Sequence, residues 1–293
     1  MAILAAVMVP PVRGVDDTAL VKSQYELLDE HKVNLLDKYQ FDLHGFFDLR
    51  SGYRLQNDRY EKDMSLNETR LQLQALRLTD QFDFTYKGDF VGDLVTERYW
   101  FDWRETNIFV RPADNMDFKL GRQILTWGTG DLLFINDLFP KDWESFFIGR
   151  DVEYLKAPSD AAKISFFGDV NLDIVYTPQF DSDNFINGER ISFYNQSLGR
   201  ISGRDAVIST DKPDKWFRDD EIAARFYGNI GNYEMAFYGY DGFWKSPGGM
   251  DSKGRAIFPD LRVYGASARG PFGAGIGNVE VGYYDSLDDA AGT

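Results

Sequence analysis

The chain has 293 residues, enough for one large domain or two ordinary ones, and 32 Lys plus Arg against 47 Asp plus Glu leave a net charge of −15. An acidic excess of this size repels phosphate backbones and argues against a nucleic-acid partner. Cysteine is absent, which excludes disulfides and thiolate metal sites, and the 16% aromatic content is high and favours strands and membrane interfaces.

The longest apolar run is Met1-Ala-Ile-Leu-Ala-Ala-Val-Met-Val-Pro10. It is well short of the ~20 residues that a transmembrane helix needs. It resembles the apolar core of a signal peptide whose basic start is missing, and residues 1–14 are expected to be such a remnant; a plain apolar tail is the alternative. Residues 15–38 mix charges with apolar residues and are expected to be a lead-in segment.

From Tyr39 the hydrophobic period becomes two. Tyr39, Phe41, Leu43, Phe47, Leu49, Tyr53 and Leu55 share one parity; Asp42, His44, Asp48, Arg50 and Arg54 share the other, with Phe46 out of step. Such alternation marks a strand with one apolar and one polar face. Leu71, Leu73 and Ala75 repeat it against Arg70, Gln72 and Gln74. Phe82, Phe84, Tyr86 and Phe90 repeat it against Asp83, Thr85, Lys87 and Asp89. Weaker strands are expected near 95–112, 116–126, 161–168, 171–178, 221–230, 233–244, 261–270 and 276–285. The total is about eleven. Parity breaks near Arg104 and Arg122 are explained either by bulges or by a misassigned register.

The connections alternate between long and tight. Residues 56–65, 127–160, 179–220 and 245–260 are long, and 92–96 is intermediate. Residues 79–81, 112–115, 168–171, 231–232 and 271–274 are tight. Short turns at one end of the strands and long loops at the other are the habit of transmembrane β-barrels. A sandwich has no reason to place its long loops at every second connection. The expected fold is therefore all-β: an antiparallel transmembrane β-barrel over residues 39–293. Such barrels usually have an even strand number and finish on a strand, so the chain is expected to be a C-terminally truncated fragment.

The segment Gly121-Arg122-Gln123-Ile-Leu-Thr-Trp127-Gly128 leads into Asp131 and then Asn136-Asp137-Leu-Phe-Pro140-Lys141-Asp142. Here the chain resembles a broad group of porin-like outer-membrane proteins of Gram-negative bacteria, with alginate-export porins as distant relatives. The resemblance is most specific over residues 118–160 and diffuse over the rest of 39–285. It implies a bacterial outer-membrane address, contact with lipid, and passive or facilitated passage of small polar solutes. It does not identify the solute.

A loop as long as 127–160 is usually functional or disordered. Folded inward, it would narrow a channel. The constriction candidates are Arg122, Gln123, Asp131, Asp137, Lys141, Asp142, Arg150 and Asp151; the alternative is that these charges solvate an external loop. Arg122 is expected to pair with a loop carboxylate and hold it, rather than line the opposite wall. By parity, Asp42, His44, Asp48, Arg50, Asp83, Lys87 and Asp89 are lumen-wall candidates, with Asp173 and Arg225 behind them. No cofactor or metal is expected, because neither histidine has a partner at ligand spacing. Nucleophile-elbow, phosphate-loop and zinc-protease motifs are absent, so an enzyme is not expected. The competing reading is a soluble or periplasmic all-β protein that binds or cleaves carbohydrate.

Overall fold

The computed structural model describes residues 41–129, 133–273 and 275–287. The expected signal remnant, the lead-in segment and Asp131 lie outside them. Eleven long strands form one antiparallel sheet in chain order: β1 (Asp42–Tyr53), β2 (Met64–Leu78), β3 (Phe82–Asp93), β4 (Arg98–Ala113), β5 (Met116–Ile124), β6 (Pro158–Phe166), β7 (Asn171–Thr177), β8 (Glu221–Ile230), β9 (Tyr233–Phe243), β10 (Asp260–Phe272) and β11 (Gly275–Ser286). Among the described residues the one α-helix, α1 (Trp143–Ile148), lies in the connection between β5 and β6. Short two- and three-residue strands decorate the later loops. The strands β1 and β11 are the edges of the sheet, and they are not paired with each other.

The register fixes two faces. Asp48 lies opposite Arg70, Arg50 opposite Glu68, Gln72 opposite Asp89, and Asp173 opposite Arg225. On the other face, Leu43, Phe47, Leu49, Leu71, Leu73, Phe90, Phe101, Ile108, Leu120, Phe226, Phe237, Tyr264, Val279 and Val281 are all exposed. Phe82, Phe84 and Tyr86 share that face and are half-buried by their neighbours. The polar face is the buried one: Glu68, Arg70, Gln72, Asp89, Asp93, Arg104, Asn107, Gln123, Asp173 and Glu221 are all under 6% exposed.

All five tight turns fall at one end of the sheet and all five longer connections at the other. Two of the long connections cover the polar face. Residues 125–157 run from the last strands to the first. Asn136 bonds to Ala266 and Glu280 on β10 and β11, and Asp151, fifteen residues on, bonds to Arg50 on β1. In a flat sheet β5 and β11, six strands apart, would stand about 29 Å from each other at ~4.8 Å per strand. The five residues from Ile124, the end of β5, to Thr129 span at most about 18 Å, and the Thr129 amide donates to the Glu280 side chain of β11, which with the bond adds about 8 Å. The sheet is therefore curved, with the polar face concave. The connection 178–220 makes a second strap: Arg190 and Arg204 reach Ser65 and Glu61 beside β2.

Two sequence expectations change in detail. The break near Arg104 is a bulge: Gly88 faces Trp103 and Lys87 faces Glu105, so Arg104 is the extra residue. The pairing of β5 with β6 runs without a break through Arg122. Arg122 instead stands on the apolar face, directly opposite Asp160. The concave face also differs from a purely wet wall. Under the loop, Val175, Ala223, Ala236 and Val263 join Tyr238, Tyr240 and Leu261 around Trp127 and Phe139 of the loop. On these strands apolar residues occupy both faces, which is why their alternation is faint in the sequence.

Candidate functional site

The site is the concave face with the 125–157 segment folded onto it. The segment leaves β5 through Gln123, which is 1% exposed and donates to the Ala161 carbonyl at 2.9 Å. Gln123 is thus part of the wall. Trp127 then turns into the concavity and packs edge-on against Phe139 at 5.0 Å. Besides this apolar contact, the loop lays the Asn136 side chain on the bare Cα of Gly265. A Cβ there would sit 1.8 Å from Asn136 Oδ1, so any larger residue must displace the carboxamide where the loop crosses β10. Gly265→Val is expected to lift the loop from β10, which faster amide exchange at residues 133–139 would report; unchanged exchange would show that the crossing tolerates a side chain.

Beyond Pro140 the segment is pinned by charge. Lys141 is 2% exposed; its ammonium donates to the Phe139 carbonyl at 2.7 Å and meets Asp137 at 3.0 Å. Burial pushes the Lys141 ammonium below its ordinary value, against the pull of Asp137. Asp142 caps α1, accepting from the Ser145 amide at 2.7 Å. A left-handed Gly149 ends the helix. Arg150 then meets Glu68 of β2, donating from Nη2 at 2.5 Å and Nε at 3.0 Å. Glu68 also accepts from Arg70 Nη2 at 2.8 Å, and Arg70 Nη1 donates to Asp89 at 2.5 Å. The Tyr154 hydroxyl donates to Asp89 at 2.7 Å while its ring lies 4.1 Å from the Arg70 guanidinium and 4.9 Å from that of Arg104. The bulge at Arg104 aims that guanidinium at the loop, where it donates to the carbonyls of Glu153 and Lys156.

The lumen-wall candidates Asp42, His44, Asp48, Arg50, Asp83, Lys87 and Asp89 all fall on the concave face. Three of them anchor the loop: Arg50 to Asp151 at 2.5 Å, Lys87 to Glu153 at 3.0 Å, and Asp89 to Tyr154. Asp48 bonds to Arg50, Asp83 to Arg111, and Asp42 and His44 are exposed. Of the constriction candidates, Gln123, Asp137, Lys141, Asp142, Arg150 and Asp151 come together in and beneath the loop. Arg122 does not: its Nε donates to the Trp103 carbonyl at 2.7 Å, and it pairs with Asp160 at 3.2 Å on the apolar face. Asp160 belongs to β6 rather than to the loop, so the expected Arg122–loop clamp is replaced by the Arg150–Glu68 clamp. Glu68, Glu144 and Arg190 carry structure that the sequence did not single out.

A comparison with protein-family models and with characterised proteins finds no match for this sequence. Function must be argued from geometry. Among the described residues no helix is long and apolar enough to cross a membrane, a statement that has no bearing on β-barrels.

The Glu144 carboxyl is displaced toward neutrality. Burial, with Asp142, Glu189 and Glu68 nearby, pushes the Glu144 carboxyl of α1 up to about 7, against the opposing pull of Arg150. Arg190 Nε lies 3.2 Å away. A carboxyl raised above its ordinary 4.5 favours the docked loop in its protonated form. That contribution is complete below 4.5 and fades as pH rises through about 7. Amide protection over residues 143–148, taken as the observed exchange rate relative to the intrinsic rate at the same pH, is expected to fall between pH 5 and pH 8, and Glu144→Gln to abolish that fall. Higher protection at pH 8, or the same fall in the variant, would refute the assignment.

Proposed function

We propose that this chain is the wall and constriction loop of an outer-membrane β-barrel channel through which small polar solutes diffuse. The observation that carries the reading is the inversion of faces: apolar side chains exposed along one face of a curved sheet, charged ones buried on the other. The exposed apolar band runs across eleven strands. At about 4.8 Å per strand and 20 Å of height it covers on the order of 1,000 Å². Monomers in water rarely expose more than a few hundred. Hydrocarbon removes that conflict. The strand lengths suit it: most run from nine to sixteen residues, against the 9–11 tilted residues that span a bilayer core. The segregation of long loops to one end fits a barrel whose tight turns face the periplasm.

The loop makes the channel a narrow one. It lies on the concave face, and its exposed carboxylates Asp151 and Glu153 stand beside Arg50 and Lys87. These ion-paired charges at the exposed edge of the loop give the lumen a polar lining that suits water and polar solutes. In a planar bilayer the protein is expected to give small, discrete conductance steps, and to partition with detergent. Recovery from the aqueous phase without detergent would end the membrane reading, and a silent bilayer would end the channel.

A further inference from the structure

Between the loop and strands β8 and β10 lies a cavity of about 270 Å³. Its charged lining consists of Lys156, Arg225 and Arg269, with no carboxylate among them. In a chain of net charge −15 such a cluster runs against composition. Arg225 and Arg269 project from the concave face, opposite Tyr238 and Glu234 respectively, and Lys156 comes from the end of the loop. Three cations in one wall, with Glu234 the one carboxylate paired to any of them among the described residues, repel each other unless something anionic lies between them.

The neighbouring carboxylates are committed elsewhere. Glu280 accepts from the Thr129 hydroxyl at 2.7 Å and the Asn136 carboxamide at 3.2 Å. Asp137 takes the Thr126 hydroxyl and Lys141. Glu234 accepts one Arg225 Nη2 bond at 3.0 Å, while Arg225 Nε is buried without an acceptor. Among the described residues, neither the Lys156 ammonium nor the Arg269 guanidinium has an ion pair. An Arg carries five donors and a Lys three, so donors in this cavity far outnumber acceptors. The hydroxyls of Thr126 and Thr129 have spent their protons on Asp137 and Glu280, which leaves the cations as the donors that face a ligand.

We infer that this cavity is a binding site for a small oxyanion, a carboxylate or phosphate group of the passing solute, held by Lys156, Arg225 and Arg269. The inference deepens the channel reading and rests on it for the word solute; binding itself does not require conduction. Cationic donors in fork and point geometry are the chemistry that recognises carboxylate and phosphate. The size selects against bulky ligands, since drug-sized pockets start near 300 Å³. The site would offset, locally, the repulsion that the rest of the acidic wall presents to an anion.

The test is titration calorimetry on the whole chain in detergent micelles, with inorganic phosphate, acetate, D-glucuronate and neutral D-glucose as probes. The expected result is binding of the anions and not of glucose, weakening as salt is raised. Arg269→Gln and Lys156→Gln should each weaken binding about tenfold or more, the effect of losing one charge-assisted bond. Arg269→Lys should keep most of the affinity. Arg262→Gln, on the apolar face and paired with Asp241, should leave it unchanged. Tighter binding of glucuronate than of acetate or phosphate assigns the group to a sugar acid, and the reverse order to a free anion; both support an oxyanion site. Equal affinity in the Arg269→Gln and Lys156→Gln variants, or glucose binding as well as the anions, overturns it. Conductance without anion binding overturns the site and leaves the channel; anion binding lost in the variants over a silent bilayer keeps the site and removes the channel.

Discussion

Arg150→Met is expected to release the loop and raise single-channel conductance, with a cost to loop docking of about 3–5 kcal/mol. The figure is that of breaking a buried ion pair from one side. Arg150 and Glu68 have side chains 6% and 2% exposed, so neither is rescued by water while the loop stays down. The cluster sets Glu68, Asp89, Asp102 and Asp142 against Arg70, Arg104 and Arg150, so it has no cation to spare. Removing one guanidinium adds to the surplus of carboxylates in a site closed by the Tyr154 ring. A loss of 3–5 kcal/mol shifts the docked-to-released ratio by roughly 10²–10⁴. Removing both charges together, as in Glu68→Leu with Arg150→Met, should recover most of that loss, because a buried pair replaced by apolar groups is near neutral. Conductance and proteolytic cleavage within residues 143–151 would follow together. A single variant with unaltered conductance and unaltered cleavage would show that the clamp does not hold the loop.

Much of this architecture is written in the sequence at period two. The alternation of Leu71, Leu73 and Ala75 against Arg70, Gln72 and Gln74 is a local signal, and it gave the right faces for β2. Loop parity is also local, since it needs only the position of tight turns. The parity break at Arg104 is legible as an irregularity, a bulge or a shifted register; the structure makes it a bulge, which aims the side chain at the loop. What could not be read is pairing at long separation. Arg150 and Glu68 lie 82 residues apart, and nothing in either segment marks the other. Glu68 falls before Arg70, in a stretch of Met64, Leu66 and polar residues whose period is too short to separate strand from loop. Arg122 misleads for the opposite reason. Its neighbours Leu120 and Ile124 place it on the apolar face by simple counting, and the Gly-Arg-Gln spelling drew it into the lumen instead. The cation cavity was invisible because Arg225, Arg269 and Lys156 come from three separate elements.

The second large effect tests the environment of the apolar face. Leu71→Arg puts a guanidinium at the middle of β2 on that face, where Leu71 is 40% exposed. In hydrocarbon the change is expected to cost about 2–4 kcal/mol, the range for Arg near the midplane of a barrel wall. In water the same change on an exposed strand position stays within about 0.5 kcal/mol. The two outcomes differ by a factor of roughly 10² in the folded-to-unfolded ratio. Position along the strand sharpens the contrast. Tyr99, near the loop end of β4 and 81% exposed, should tolerate Arg at about 0–1 kcal/mol, because side chains near the interface reach water. Gln74→Arg, on the concave face of the same strand as Leu71, should be mild in either environment, since that face is already polar. Refolding into vesicles across a urea series would give all three values. A depth-dependent penalty on the apolar face alone is the signature of lipid contact. A flat, small response at Leu71, Tyr99 and Gln74 would mean that the exposed band faces water or another protein, and the channel would lose its membrane.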